Sequence, residues 1–283
     1  MIKGNGIRGE WLGEWLKGRD MEFQNILYRI ENQVLTVTLN RPRLRNALNL
    51  DLMREIKGAM EEAEKDEDVR AVVITGVGDV FSSGGDLPLL VRMVEIESDE
   101  EYIEWNNPFI EAIMAIYQMG KPVIAAVNGP AVGGGCEISL SCDLRIASDK
   151  AIFAELFVRL GDIPGLGGLF FLPKIVGLGK AYELAYTGQP VTAEEAYRIG
   201  LVNHLVPADK FPDFVKDFSE SLAKGPTKAL GYIKKGIQYS LNSDLGSSFE
   251  YIKGLQKSIK HTWDNKEGIM AALEKRRASF KGQ

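Results

Sequence analysis

Pro122-Val123-Ile124-Ala125-Ala126-Val127-Asn128-Gly129-Pro130, followed by Gly133-Gly134-Gly135-Cys136-Glu137, is the stretch on which the reading of this chain turns. Val123 to Val127 is a short, continuous apolar run rich in β-branched residues, the pattern of a strand covered on both faces. Asn128-Gly129-Pro130 ends it. Three successive glycines then open a helix that runs through Ile138, Leu140 and Ser141. Glycine lets another atom approach the backbone closely. The N–H groups of a first helical turn have no acceptor within the helix and lie at the positive end of its dipole. The turn is therefore a donor site for an oxygen anion, although a tight strand-to-helix connection holding nothing reads the same.

Outward from this segment the same grammar repeats. Ala71 to Thr75 is a second buried strand; it leads through Gly76-Val77-Gly78 to another glycine turn, Phe81-Ser82-Ser83-Gly84-Gly85-Asp86. If the two strands are neighbours, their turns bring two backbone donors to one point. Val34 to Leu39 alternates apolar with polar residues and predicts a half-buried strand ending at Arg41-Pro42. Leu48, Leu52, Ile56, Ala59, Met60 and Ala63 recur at helical spacing, with Asn49 as N-cap. Strands alternating with helices make an α/β fold with mainly parallel pairing. From Pro207 onward the chain reads as helices bounded by Gly225-Pro226, Gly246 and Gly268. The expected organisation is an N-terminal extension over 1–21, with Met21 as a possible natural start, a core over 22–206 and a helical oligomerisation region over 207–283.

Composition narrows the function. The 283 residues are 45% apolar and 26% charged, with a net charge of −5 and a pI near 5.4. Basic residues are interspersed with acids, which argues against a nucleic-acid partner. No apolar run approaches the roughly 20 residues of a membrane helix. Cys136 and Cys142 are expected as buried small apolar residues in a reducing, cytoplasmic setting. His204, in the strand-like Leu201 to Val206, and His261, assigned to a helix surface, have no Cys or His neighbours, so metal-ligand spacing is absent. Neither glycine turn follows the dinucleotide or phosphate-loop fingerprint, and no nucleophile-elbow motif occurs.

Taken together, Asn40-Arg41-Pro42, Asn46-Ala47-Leu48, the two glycine turns and Ile163-Pro164-Gly165-Leu166-Gly167-Gly168 resemble, in order and spacing, the crotonase or enoyl-CoA hydratase/isomerase superfamily. The resemblance covers about residues 22–283. It implies a spiral of ββα units with a helical C-terminal region, assembled as a trimer or a dimer of trimers. It implies an acyl-CoA thioester substrate, with coenzyme A entering as part of that substrate and no separate cofactor. The thioester oxygen would be held by the amides of Gly85 and Gly134. Arg45, Ala47, Ser83, Asp86 and Lys275 fall at positions that contact or brace coenzyme A, while Phe157, Gly165 and Leu166 fall at the acyl pocket.

The resemblance breaks where the reaction is decided. Family hydratases use two glutamates; Glu137 fills the first position, but Phe157 stands at the second. Phenylalanine exchanges no proton. Glu155, two residues earlier, would face elsewhere in an extended segment. Asp162 is then the candidate second acid, or simply a cap on the turn before Pro164. An aromatic at 157 resembles the ring-isomerase and dehalogenase branches, yet those place an aspartate where this chain has Gly165, and Pro88 replaces a lysine that many hydratases direct toward coenzyme A. The expectation is hydration or dehydration of an enoyl-CoA by Glu137, ahead of isomerisation, decarboxylation or C–C hydrolysis, with a non-catalytic acyl-CoA-binding subunit as the remaining alternative.

Overall fold

The computed structural model describes residues 23–283, so the expected N-terminal extension lies outside the described residues. The chain opens with a hairpin of β1 (Ile26–Glu31) and β2 (Val34–Leu39), joined by Asn32 and Gln33, both with positive φ as a tight hairpin turn requires. Then come α1 (Leu50–Lys65), β3 (Ala71–Gly76), α2 (Leu87–Glu95), α3 (Asp99–Gln118) and β4 (Val123–Val127). The middle of the chain contains β5 (Ala131–Val132), α4 (Gly134–Ser141), β6 (Leu144–Ser148), β7 (Ile152–Ala154), α5 (Gly168–Val176), α6 (Leu178–Thr187), β8 (Val191–Thr192), α7 (Ala193–Arg198) and β9 (His204–Val206). Four helices close it: α8 (Phe211–Ala223), α9 (Thr227–Ser240), α10 (Leu245–Ile259) and α11 (Trp263–Leu273).

The main sheet has the order β1-β2-β3-β4-β6-β9 and is parallel apart from β1. Its central strands are apolar throughout because both faces are covered. Val72 and Ile74 of β3, with Val123, Ala125 and Val127 of β4, pack into the core formed with α1 and α3. Their alternates Ala71, Val73, Ile124 and Ala126 meet Phe211, Phe214 and Phe218 of α8 on the other side. Thus α8 forms the second wall of the sheet. Asn49 caps α1 as expected, its side chain accepting from the Leu52 amide at 2.9 Å.

His204 packs its ring against Phe214 and Phe218, with centroids 5.3 and 5.0 Å away, which agrees with a structural reading. His261 differs from expectation: it is exposed in the turn between α10 and α11, because α10 ends at Ile259. Both cysteines are buried and free. Among the described residues no helix is long and apolar enough to cross a membrane, and no group of three or more His, Cys, Asp or Glu residues is placed to hold a metal.

Candidate active site

Because β3 and β4 are neighbours in parallel register, the segments leaving them run side by side. The amides of Phe81 and Ser82 both donate to the Pro130 carbonyl at 3.1 Å, and the Val132 amide donates to the Ser82 carbonyl at 2.9 Å. The two glycine turns are consequently in contact. Gly84 has φ +90°, and a Cβ there would stand only 2.9 Å from the Val132 carbonyl oxygen. Glycine is required at this position on both counts.

The outward amides follow from this pairing. Leu48 forms a parallel bridge with Gly85, built from the Leu48 amide to the Gly84 carbonyl and the Asp86 amide to the Leu48 carbonyl. That pattern turns the Gly85 N–H away from Leu48, and it has no acceptor among the described residues. Gly134 is the first residue of α4, so its N–H is likewise without an acceptor among them. The preceding Gly133 has φ +51° and donates to the Ala154 carbonyl at 2.7 Å, which ties the triplet to the end of β7.

Arg41, Asn46 and Asp86 brace the Gly85 turn. Asn46, fully buried with a positive φ, accepts from the Arg41 amide and donates to the carbonyls of Val77 and Val80. Arg41 donates to the Ala47 carbonyl and pairs with Asp86 at 2.9 Å. The other Asp86 oxygen caps α2 by accepting from the Leu89 amide at 3.0 Å. Both Asp86 oxygens are thus engaged within the protein, and the side chain is 8% exposed. Removing one partner of such a pair leaves the other charge buried. Asp86→Ala should therefore lose about 3–5 kcal/mol of stability, seen as a melting temperature lower by roughly 10 °C. An unchanged melting temperature would contradict the brace.

Glu137 lies one turn into α4, and side chains in a helix lean toward its N-terminus, here toward Gly134. It is completely buried. Its Oε1 accepts from the Leu166 amide at 2.9 Å and the Gly168 amide at 2.6 Å, at the start of α5. Its Oε2 is buried and has no hydrogen-bond partner. Burial first, then the charge of Glu155, push its carboxyl well above the ordinary carboxylate range, while the two backbone donors pull it back. Leu166 and Leu48 flank the helix start: a Cβ at Gly134 would lie 3.2 and 2.8 Å from their methyls.

The remaining sequence candidates take these places. Phe157 is half-buried, and a Cβ at Gly133 would lie 3.8 Å from its ring. Gly165 is exposed, and a Cβ there would meet the Ile163 carbonyl oxygen at 3.9 Å. Asp162 is half-buried and close enough to repel the Glu137 charge, but its Oδ1 accepts from the Ile163 amide at 2.8 Å, the arrangement of a turn cap. Ser83 reaches back to the Leu44 carbonyl at 3.3 Å, and its amide donates to the Arg45 carbonyl at 3.1 Å, so Arg45, Ala47 and Ser83 form one rim. Arg45 itself is exposed, with φ +53°. Lys275 is exposed just beyond α11, and no hydrogen bond or ion pair among the described residues joins it to that rim.

Glu155 corrects the sequence reading. The expectation that it faces elsewhere assumed an extended segment, but β7 ends at Ala154 and Leu156–Leu160 winds into a 3-10 helix. Alternation stops there. Glu155 is only 3% exposed, and neither carboxylate oxygen has a hydrogen-bond partner. The available signal was a lone glutamate inside the apolar run Ile152-Phe153-Ala154-Glu155-Leu156-Phe157-Val158.

Comparison with known proteins agrees with this architecture. Residues 29–283 match the family model for enoyl-CoA hydratase/isomerase. The short-chain-enoyl-CoA hydratase of Clostridium acetobutylicum is 37% identical over 91% of this chain and 97% of its own. The crotonyl-CoA hydratase of Syntrophomonas wolfei is 38% identical over 92% and 99%. The crystal structure of an enoyl-CoA hydratase from Bacillus anthracis superposes with a TM-score of 0.85 at 33% identity, over 92% of this chain and all of that one. This chain belongs to the enoyl-CoA hydratase/isomerase family, and its fold is the crotonase fold with a helical C-terminal region.

Proposed function

We propose that the protein adds water across the α,β double bond of an enoyl-CoA thioester, and in reverse removes it from the 3-hydroxyacyl product. The observation that carries this reading is the Glu137 carboxylate: one oxygen is fixed by two backbone amides and the other is bare, on the turn of α4 that begins at Gly134. The fixed oxygen orients the group, and the bare one exchanges protons.

In the forward direction Oε2 takes one proton from water as the water oxygen bonds to the β carbon. The electron pair of the double bond moves toward the thioester oxygen, where the amides of Gly85 and Gly134 stabilise the growing charge. The same proton then passes from Glu137 to the α carbon. Atoms balance with a single shuttle, so a second acid at position 157 is unnecessary. Coenzyme A enters as part of the substrate, held at the rim of Arg45, Ala47 and Ser83, which Asp86 braces, with Lys275 from the C-terminal region, and no separate cofactor takes part. Phe157 and Leu166, with Gly165, bound the acyl group. The copies assemble as trimers or dimers of trimers in a reducing cytoplasm, a setting that suits two buried free thiols.

The test is product mass from a panel of trans-2-enoyl-CoA esters. Hydration adds one water to the substrate mass. A second reading, double-bond isomerisation, is favoured by Phe157 at the position of the second acid. It leaves the mass unchanged while moving the double bond, and that outcome would replace the first reading.

A further inference from the structure

The Glu137 carboxylate is set by two amides that lie two residues apart, Leu166 and Gly168, which donate to the same oxygen at 2.9 and 2.6 Å. Backbone N–H groups with one residue between them converge on a single acceptor where the chain turns through the left-handed region, the geometry of a backbone anion nest. Gly167, the residue between them, has φ +102°. Glycine adopts that φ without strain, but it is also the residue with the most backbone freedom to lose. The restraint on this turn therefore has to come from outside residue 167.

We propose that Phe171 is a positioning residue for Glu137, its ring holding Gly167 in the left-handed turn that aims both amides at the carboxylate. A Cβ at Gly167 would stand 2.6 Å from Cε2 of Phe171 and 3.0 Å from its Cδ2, so the ring fills the space beside the glycine α-carbon. The amides of Phe170 and Phe171 both donate to the Gly167 carbonyl at 2.9 Å. The helix thus fixes the carbonyl side of the glycine, and the ring closes off the α-carbon side.

The ring is itself backed. Tyr117 of α3 lies 5.4 Å from it between centroids, and Phe170 lies 5.2 Å away at nearly a right angle. The last turn of α3 is tied to α9: Gln238 donates to the Tyr117 carbonyl at 2.8 Å, and Lys234 donates to the Ile116 carbonyl at 3.3 Å while pairing with Asp143 at 2.9 Å. A chain of contacts therefore runs from α9 through Tyr117 and Phe171 to Gly167 and Glu137. The titratable groups that face Glu137 come from other segments. Glu155 after β7 and Asp162 after the 3-10 helix raise its carboxyl, and the Cys136 thiol of α4 is kept protonated by burial, whereas the two amides pull the carboxyl down. Changing Phe171 leaves those groups in place, so a shift in the Glu137 titration reports the amides.

The inference rests on the hydration reading for what Glu137 does, but not for how it is held, and the test separates the two. In infrared titration of protein labelled at its glutamate carboxyls, the Glu137 step is the one that Glu137→Gln removes. Phe171→Ala should move that step up by about one pH unit, because loosened amides favour the anion less. In kinetics the same variant should lower kcat by about 10–10²-fold with KM little changed, and the acid limb of kcat/KM should rise with the carboxyl step. Phe171→Tyr keeps the ring and should restore both. Leu172→Val alters the next residue of α5, which is buried in the core, and should lower the melting temperature while leaving the Glu137 step where it was. Phe171→Leu carries the same expectations should the alanine variant fail to fold. An unmoved Glu137 step in a folded Phe171→Ala or Phe171→Leu protein, or a shift of the same size in Phe171→Tyr or Leu172→Val, would overturn the assignment. Absence of hydration by the unmodified protein, with the step raised in Phe171→Ala, would overturn only the reaction.

Discussion

Glu137→Gln is expected to lower enoyl-CoA hydration by a factor of about 10²–10⁴, the range of general acid–base assistance. The substitution isolates chemistry from architecture. A glutamine retains an oxygen that accepts from the Leu166 and Gly168 amides, so α5 and the turn before it stay in place. Only the proton-exchanging oxygen is lost. Stability should move in the opposite direction to activity. Because the Glu137 carboxyl is raised in the folded protein, the native state holds a proton that the unfolded chain has released, and stability falls as pH rises from 4.5 through about 8. The glutamine variant escapes that loss and should melt higher than the unmodified protein at the alkaline end of this window. Steady-state rates by product mass, with calorimetry across pH, check both halves. Retained turnover on every accepted substrate would remove Glu137 from the reaction.

Gly134→Pro should reduce kcat/KM by about 10²–10³, the effect of removing one oxyanion donor. Proline deletes the N–H itself, and at the first position of a helix it costs the fold little. The control is Gly134→Ala, which keeps the donor. Its Cβ would meet the methyls of Leu48 and Leu166 at 2.8 and 3.2 Å, both ends of flexible side chains that shift by tenths of an ångström. A small loss for alanine beside a large one for proline, with helix content unchanged by circular dichroism, is the expected pattern. Equal losses would point to crowding, and no loss in the proline variant would exclude this amide.

Periodicity revealed most of the architecture because each signal was local. The apolar runs at Ala71 and Val123 exist because sheet residues alternate between the α1–α3 core and α8, and a residue buried on either face has to be apolar. Asn49 was legible from its place before the helical repeat. The contact of the two glycine turns needed only that β3 and β4 be neighbours, which parallel α/β topology favours. Less was visible at the site. The Arg41–Asp86 pair joins residues that are 45 positions apart, and nothing in either short motif announces the other. Glu155 was misread because the rule of alternation was carried one residue past the end of a strand, and the 3-10 helix that turns it inward has no strong sequence mark.

One property of α4 bears on where such a protein can vary. All eight of its residues are buried, so altering any of them disturbs packing together with chemistry. The segment after β7 is built differently: Val158, Leu160 and Ile163 are 40, 65 and 66% exposed on a short 3-10 helix and its following turn. Substitutions of such exposed side chains cost little folding energy. The Glu137 helix is thus frozen by its neighbours, while the stretch that follows Glu155 is free to vary.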